Sequence, residues 1–285
     1  MKSIKSINIK SFKEDGFQIH NPFSDELLNG LKTDLFNRIS MQAYKVGMIE
    51  KFTFKKYSDS ISPEELESLI INLNKINKRS VDFAYQELRE CPAFYSLINQ
   101  DFKKICSNLL DCPEELLKIH IDGVLMNLPS NEQRLYKFHT EEHYYPYRKN
   151  FLNFWMPVVI DKTKSNGAMV IMHKGHNKKY SMNEYSGFSK VEGEKFSEED
   201  FFYQLQVPKN ELEGEKTICD LSVGDALFFH SNTPHTSSLN TSNNVSYAFI
   251  ARVYDYRKDL TLSDRTGIKS YSAASGGYPD LRPIL

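Results

Sequence analysis

The chain is poor in cysteine, in excess charge of either sign and in long apolar runs, and each shortage excludes something. Its 285 residues include four cysteines, Cys91, Cys106, Cys112 and Cys219. None stand at CxxC spacing and they form no dense framework, so a reduced, cytoplasmic setting is expected. The formal net charge is −1 and the sequence pI about 6.7, which leaves no electrostatic footprint for DNA or RNA. The longest apolar runs, such as 154–160, are far too short to span a bilayer. The opening MKSIKSINIKSFKEDGF lacks the apolar stretch of a secretory signal. The expectation is a soluble protein acting on a small molecule, with neither nucleic acid nor membrane as partner. Tryptophan occurs once, but 19 phenylalanines and 16 tyrosines are present. Phenylalanine in short apolar runs suits a β-rich domain, and the length suffices for one large domain or two small ones.

The first third reads as helical. Ser24 is placed to cap a helix whose Leu27, Leu28, Leu31 and Leu35 recur at helical spacing. Ser62, Pro63 and Glu65 supply an N-cap hydroxyl, a first-turn proline and a reciprocal capping glutamate ahead of Leu66, Leu69, Ile70 and Leu73. A further helix is expected over 92–110, and Pro113 can open a short one. From residue 119 the texture changes to short apolar runs, IHIDGVLMNL, NFLNFWMPVVI, GAMVIM, KTICDL, DALFFH and VSYAFIARVYDY, which read as strands. Turn residues at 165–167 and 222–225 separate some of them. Such a series implies a sandwich, jelly roll or barrel. Two polar segments break the rhythm: 177–214, with Ser197 as a helix cap, and 256–285. Each is a candidate loop or lid.

The stretch YKFHTEEHYY (136–145) crowds histidines, glutamates and tyrosines into ten positions. If it ends a strand, His139 and Glu141 point to the same side. One imidazole and one carboxylate then converge, and a second histidine would complete a facial two-His, one-carboxylate set for a divalent metal. GDALFFHSNTPHTSSLN offers His230, inside an apolar run, and His235, after Pro234 at a strand's end. His235 is the chosen ligand. An H-x-E triplet alone fits a hydrogen-bonded strand histidine better than a metal ligand. His143 would need a helix to join the set, which Tyr144, Tyr145 and Pro146 disfavour. His173 and His176 read as loop-shaping, and His20 and His120 as structural.

Four stretches in order carry a resemblance: FKEDGFQIHNPFSDELLNGLKTDL (12–35), FHTEEHYY (138–145), NGAMVIMHKGHNKKY (166–180) and VGDALFFHSNTPHTSSLNTSNN (223–244). Together the chain resembles the phytanoyl-CoA dioxygenase family of iron(II)- and 2-oxoglutarate-dependent oxygenases. The resemblance implies a double-stranded β-helix, a cupin-like jelly roll flanked by helices. One oxygenase domain is expected over 1–285: a helical flank (1–118), a jelly-roll core (119–255) with an insertion at 177–214, and a polar tail (256–285). Carried over, the iron ligands are His139, Glu141 and His235, with Fe(II), 2-oxoglutarate and O2 as cofactor and co-substrates. The implied outcome is oxidation of an unactivated C–H bond coupled to decarboxylation of the keto acid to succinate.

The chain departs from the family pattern in two places. Glu141 stands for the usual aspartate, and Ser246 stands where the family carries the arginine that pairs with the far carboxylate of 2-oxoglutarate. A serine hydroxyl cannot supply a charged fork. Arg252 is on the same strand face, but six residues of strand span roughly 20 Å. Lys137 and Arg148 are other cations near the metal motif. Asn153 and, less directly, Asn127 could hydrogen-bond a co-substrate carboxylate. Tyr144, Tyr145, Tyr147 and Trp155 could line the mouth and contact a small polar substrate, in keeping with a biosynthetic oxygenase. Rival readings are a metal-dependent oxygenase that uses no keto acid, and a non-catalytic binding barrel. Halogenation is disfavoured because a carboxylate ligand is present.

Overall fold

The computed structural model describes residues 9–77, 80–81, 84, 87–129, 136–145, 148, 150–181, 183–185 and 204–258. The Ser197 cap, Tyr147 and most of the polar tail lie outside them.

Helix α1 (Ile9–Asp15) leads through Gly16 into strand β1 (Phe17–His20). Gly16 takes φ +86°, and a Cβ there would sit 2.4 Å from His176 Nδ1, so the turn needs glycine twice over. Helix α2 (Asp25–Lys45) begins where Ser24 Oγ accepts from the Leu27 N–H, with Asp25 and Glu26 in the first turn. Both features stabilise the positive helix start. Leu28, Leu31, Leu35 and Ile39 form its buried face. Helix α3 (Pro63–Ile76) starts at Ser62, whose Oγ accepts from Glu65 N, and buries Leu66, Ile70 and Leu73. The continuous helix expected over 92–110 is instead two helices, α4 (Pro92–Ser96) and α5 (Gln100–Leu110). Asn99 Oδ1 accepts from Phe102 N at 2.8 Å and restarts the helix, because an extended asparagine cap competes well with a continued turn.

The strands that follow are β2 (Leu117–Asn127), β3 (Leu152–Pro157), β4 (Met169–Met172), β5 (Asn183–Tyr185), β6 (Gln204–Gln206), β7 (Lys216–Cys219), β8 (Ala226–His230), β9 (His235–Ser237) and β10 (Ser246–Asp255). Every pairing is antiparallel: a five-stranded sheet in the order β1-β8-β3-β10-β2 faces a three-stranded sheet β7-β4-β9, and β5 pairs with β6. This is the jelly-roll arrangement, left open, with helices on the outer face of the larger sheet.

Strand alternation divides the larger sheet into two chemistries. On the outer face Phe154, Met156, Phe228, Tyr247, Phe249 and Val253 join the helices in one core. Phe154 is its hub, with ring centroids 5.2–5.9 Å from Phe23, Phe102, Phe228 and Phe249. On the inner face Trp155, Leu227, Phe229 and Ala248 meet Met169 and Ile171 of the smaller sheet. The register of β10 against β2 shifts where Ile250 faces Gly123 and Ala251 faces Ile121. The extra residue is on β2, so β10 keeps its own alternation and Ser246, Ala248, Ile250 and Arg252 share the inner face. Among the described residues, no helix is long and apolar enough to cross a membrane, and all four cysteines are buried and free.

Candidate metal centre

His139 and His235 are held opposite each other by an isolated antiparallel bridge, with His139 N donating to His235 O at 3.1 Å and His235 N to His139 O at 3.0 Å. Their rings lie 4.3 Å apart. Each ring is oriented in the same way. His139 Nδ1 donates to Lys137 O at 2.7 Å, and His235 Nδ1 donates to Thr233 O at 2.9 Å. A carbonyl can only accept, so both Nδ1 atoms carry the proton and both Nε2 lone pairs are free to bind a metal. Burial and the neighbouring His139 push the His235 pKa down, which keeps the imidazole in its neutral, ligating form.

Glu141 reaches the pair by another route than strand alternation. Residues Glu141–Tyr144 form a short helical turn, α6, anchored by Glu141 N donating to Ser231 O at 2.9 Å. Its Oε1 sits 3.4 Å from His139 Nε2 and 3.6 Å from His235 Nε2. Its Oε2 accepts from Arg252 Nε at 3.0 Å and Nη2 at 2.7 Å. Burial opposes ionisation of this carboxyl, but when His139 and His235 are protonated at Nε2 their hydrogen bonds and charge bring its pKa down to about 2. The three donor atoms lie within 4.8 Å of one another and all three residues are buried.

This group lines one end of a cavity between the sheets. The empty space is about 680 Å³, including its opening to solvent. Trp155, Met169, Phe229 and Ile250 form an apolar wall, with Asn153 and Ser237 among them. Both polar atoms of Asn153 and the Trp155 Nε1 are buried without a hydrogen-bond partner among the described residues. Groups of this kind are costly unless a ligand satisfies them.

Residues 45–246, more than two thirds of the chain, match the family model described as phytanoyl-CoA dioxygenase (PhyH). The chain belongs to the phytanoyl-CoA dioxygenase family. It is accordingly a non-haem iron(II)- and 2-oxoglutarate-dependent oxygenase. The match starts at 45, so the family-like opening at 12–35 lies outside it. No curated protein matches the chain. Among solved structures, EvdO2 from Micromonospora carbonacea var. aurantiaca is 17% identical with a TM-score of 0.51, covering 90% of this chain and 94% of that one. A second structure of EvdO2, complexed with 2-oxoglutarate, is 16% identical over the same shares with the same score. The non-heme alpha ketoglutarate dependent carbocyclase SnoK from nogalamycin biosynthesis is 15% identical with a TM-score of 0.51, covering 87% and 82%. At these identities the likeness is one of fold.

For a phytanoyl-CoA dioxygenase family member the donor set fits iron(II): two neutral imidazoles and one carboxylate on one side, with the cavity on the other. His230 is not part of it. Its Nδ1 accepts from Asn232 N at 3.1 Å. Nor is His143, bonded to Thr140 Oγ1 and, at 3.2 Å, Tyr180 O.

Several sequence expectations need correction. Lys137 is exposed, because the chain at 137–139 is not a regular strand and only its carbonyl turns toward His139. Tyr144 is fully buried with its ring edge-on to His139, 5.4 Å away, and Tyr145 is buried 4.8 Å beneath the Arg252 guanidinium. Both support the centre from behind and neither lines the cavity. Arg148 stacks over Tyr254 at 4.2 Å. Arg252 does reach the cavity, but at the metal end, where Glu141 occupies it. Asn153 and Trp155 line the cavity as alternation suggested. Asn127 and Ser246 lie around a residue that pattern reading missed, Lys162. Its only sequence signal was a lysine two residues past the apolar run PVVI and ahead of the SNG turn.

Proposed function

We propose that the protein oxidises a C–H bond of a small polar metabolite in a biosynthetic reaction, with iron(II) held by His139, Glu141 and His235. The observation that carries the reading is the convergence of two Nε2 lone pairs and one carboxylate oxygen on a single buried point. Iron(II) at that point, with 2-oxoglutarate and O2, supplies the oxidising power for an unactivated C–H bond. The chain's residues do the rest. Lys137 and Thr233 carbonyls fix the two imidazole tautomers. Arg252 fixes Glu141 so that one oxygen faces the histidines. The Trp155, Met169, Phe229 and Ile250 wall excludes water from the reacting carbon. The unpaired Asn153 amide and Trp155 N–H offer hydrogen bonds to a ligand, which favours a polar one. A biosynthetic setting draws support from the similar fold of SnoK, from nogalamycin biosynthesis. Buried free thiols favour the cytoplasm, and the core shared by the helices and the larger sheet favours one oxygenase domain.

The test is anaerobic. Protein loaded with one equivalent of iron(II) should develop the weak visible charge-transfer band of the iron–keto acid chelate as 2-oxoglutarate is added. Iron uptake below stoichiometry, or uptake that survives His139→Ala, would defeat the ligand assignment. Substrate class is then read from which polar metabolites perturb that band.

A further inference from the structure

Two cations are buried among the described residues, Arg252 and Lys162. Arg252 is engaged with Glu141. Lys162 is wholly buried, and among the described residues no carboxylate is bonded to it. Its Nζ donates to Ser246 Oγ at 2.6 Å and, at a long 3.5 Å, to the Asn166 carbonyl. Ser246 in turn donates to that carbonyl. The ammonium also lies 5.6 Å from the centre of the Trp155 ring, whose residue lines the cavity. A buried ammonium without a counter-charge is strongly unfavourable, and burial alone pulls the Lys162 pKa down to about 7. An anion arriving beside this group would favour its charged form and offset the burial cost.

Further polar groups stand beside it, next to the cavity wall at Trp155. Gly167 faces Lys162, and a Cβ on it would lie 3.5 Å from Nζ and 2.7 Å from Asn127 Nδ2. The Asn127 amide, the Ser246 hydroxyl and the Lys162 ammonium therefore surround one small cradle. Ser246 is on the same β10 face as Ile250 and Arg252, so the cradle belongs to the inner side of the sheet, at the opposite end of that row from the metal ligands. The keto acid is a dianion: its keto-acid end goes to the metal, and its far carboxylate must be neutralised if it is to be buried.

Resting on the functional reading above, we propose that Lys162, supported by Ser246 and Asn127, is the binding residue for the far carboxylate of 2-oxoglutarate. Lysine and serine from two separate segments thereby do what a single arginine at position 246 would do. This removes the reason for a reading without the keto acid, which was the serine at 246.

The test compares 2-oxoglutarate with 2-oxopentanoate, which keeps the metal-binding end and carries a methyl in place of the far carboxylate. Affinities are read anaerobically on iron-loaded protein from the charge-transfer band. Wild type should prefer 2-oxoglutarate by about a hundredfold, the scale of a desolvated charge pair. Lys162→Met should bind iron normally, lose that preference, and bind 2-oxopentanoate as before. In the Lys162→Ala background, Ser246→Arg should restore most of it. An unchanged preference in Lys162→Met overturns the assignment and leaves the keto acid reading standing. Iron uptake by wild type without any 2-oxoglutarate band overturns both.

A second measurement needs no variant. The groups facing Nζ from β3, β10 and the 163–167 turn are Trp155, Ser246, Asn166 and Gly167, with Asn127 from β2, and none titrates near neutrality; Asp161 accepts from Val223 N instead. Calorimetry at about pH 8 in two buffers of different ionisation enthalpy should therefore show proton uptake with 2-oxoglutarate and not with 2-oxopentanoate. Equal proton uptake by the two acids would also overturn the assignment.

Discussion

Arg252 donates from Nε at 3.0 Å and from Nη2 at 2.7 Å to the same oxygen of Glu141, Oε2, and so leaves Oε1 facing His139 and His235. The two residues are 111 apart in the chain. The pairing explains how a glutamate can stand where the family uses aspartate. The longer side chain has an extra torsion, and the guanidinium removes that freedom.

Arg252→Met should therefore weaken iron binding by about ten- to a hundredfold, as loss of groups that orient metal ligands does. It should also lower apo-protein stability by up to about 3–5 kcal/mol, since Glu141 is left buried without its permanent cation. Competition with a colorimetric chelator checks the first and a denaturant midpoint the second. Arg252→Lys should recover part of the charge but not the fork, and fall between wild type and Arg252→Met.

His235→Ala should abolish stoichiometric iron uptake, whereas His230→Ala should change iron affinity by no more than a few fold. The imidazole of His230 is spent on Asn232 N, and burial drives its pKa to about 4. Metal analysis after anaerobic gel filtration separates the two; a reversed pattern would move the centre to the other histidine.

The helical core and the metal centre lie on opposite faces of the same sheet, so they can be perturbed separately. Phe102→Ala, which removes a ring packed on Phe23, Phe154 and Phe228, should cost about 3–5 kcal/mol of stability. Below the unfolding transition it should bind iron as wild type does.

Lys162 gives the apo protein a pH dependence of definite sign. Its folded pKa of about 7 lies below the unfolded value of about 10.4. Below pH 7 both states are protonated and the burial penalty is present in full. Between about pH 7 and 10 the unfolded chain holds more protons, so this group's destabilisation fades as pH rises. Lys162→Met should accordingly be more stable than wild type at pH 6–7, on the order of a few kcal/mol, with the gap shrinking toward pH 10. Urea midpoints of both proteins across that range check it, and a gap that widens with pH would refute it.

Gly167→Ala should lower 2-oxoglutarate affinity while sparing iron binding. The position has φ +98°, where a side chain costs about 1–2 kcal/mol, and the new methyl would meet the Asn127 amide at 2.7 Å.

What the sequence determined by itself was local. The caps at Ser24 and Ser62 and the alternation of β3 and β10 follow from residues a few positions apart, because helix starts and strand faces are decided at that range, while His139, Glu141 and His235 were picked out by the order of family-like motifs along the chain. Neighbours were misjudged where two local signals competed. Asn99 restarted a helix that composition would have run straight through, and residues 141–144 turned helical once Ser231 offered a carbonyl to the Glu141 N–H. Which cation meets which anion was decided only by the tertiary structure. Arg252 looked too far along its strand to replace an arginine at 246; the register of β10 against β3 places it opposite Asn153 and within hydrogen-bond reach of Glu141. Lys162 carried no motif at all. Its importance comes from being buried beside Ser246, 84 residues away, and burial of a charge is a property of the packed sheets, not of the residues beside it in the chain.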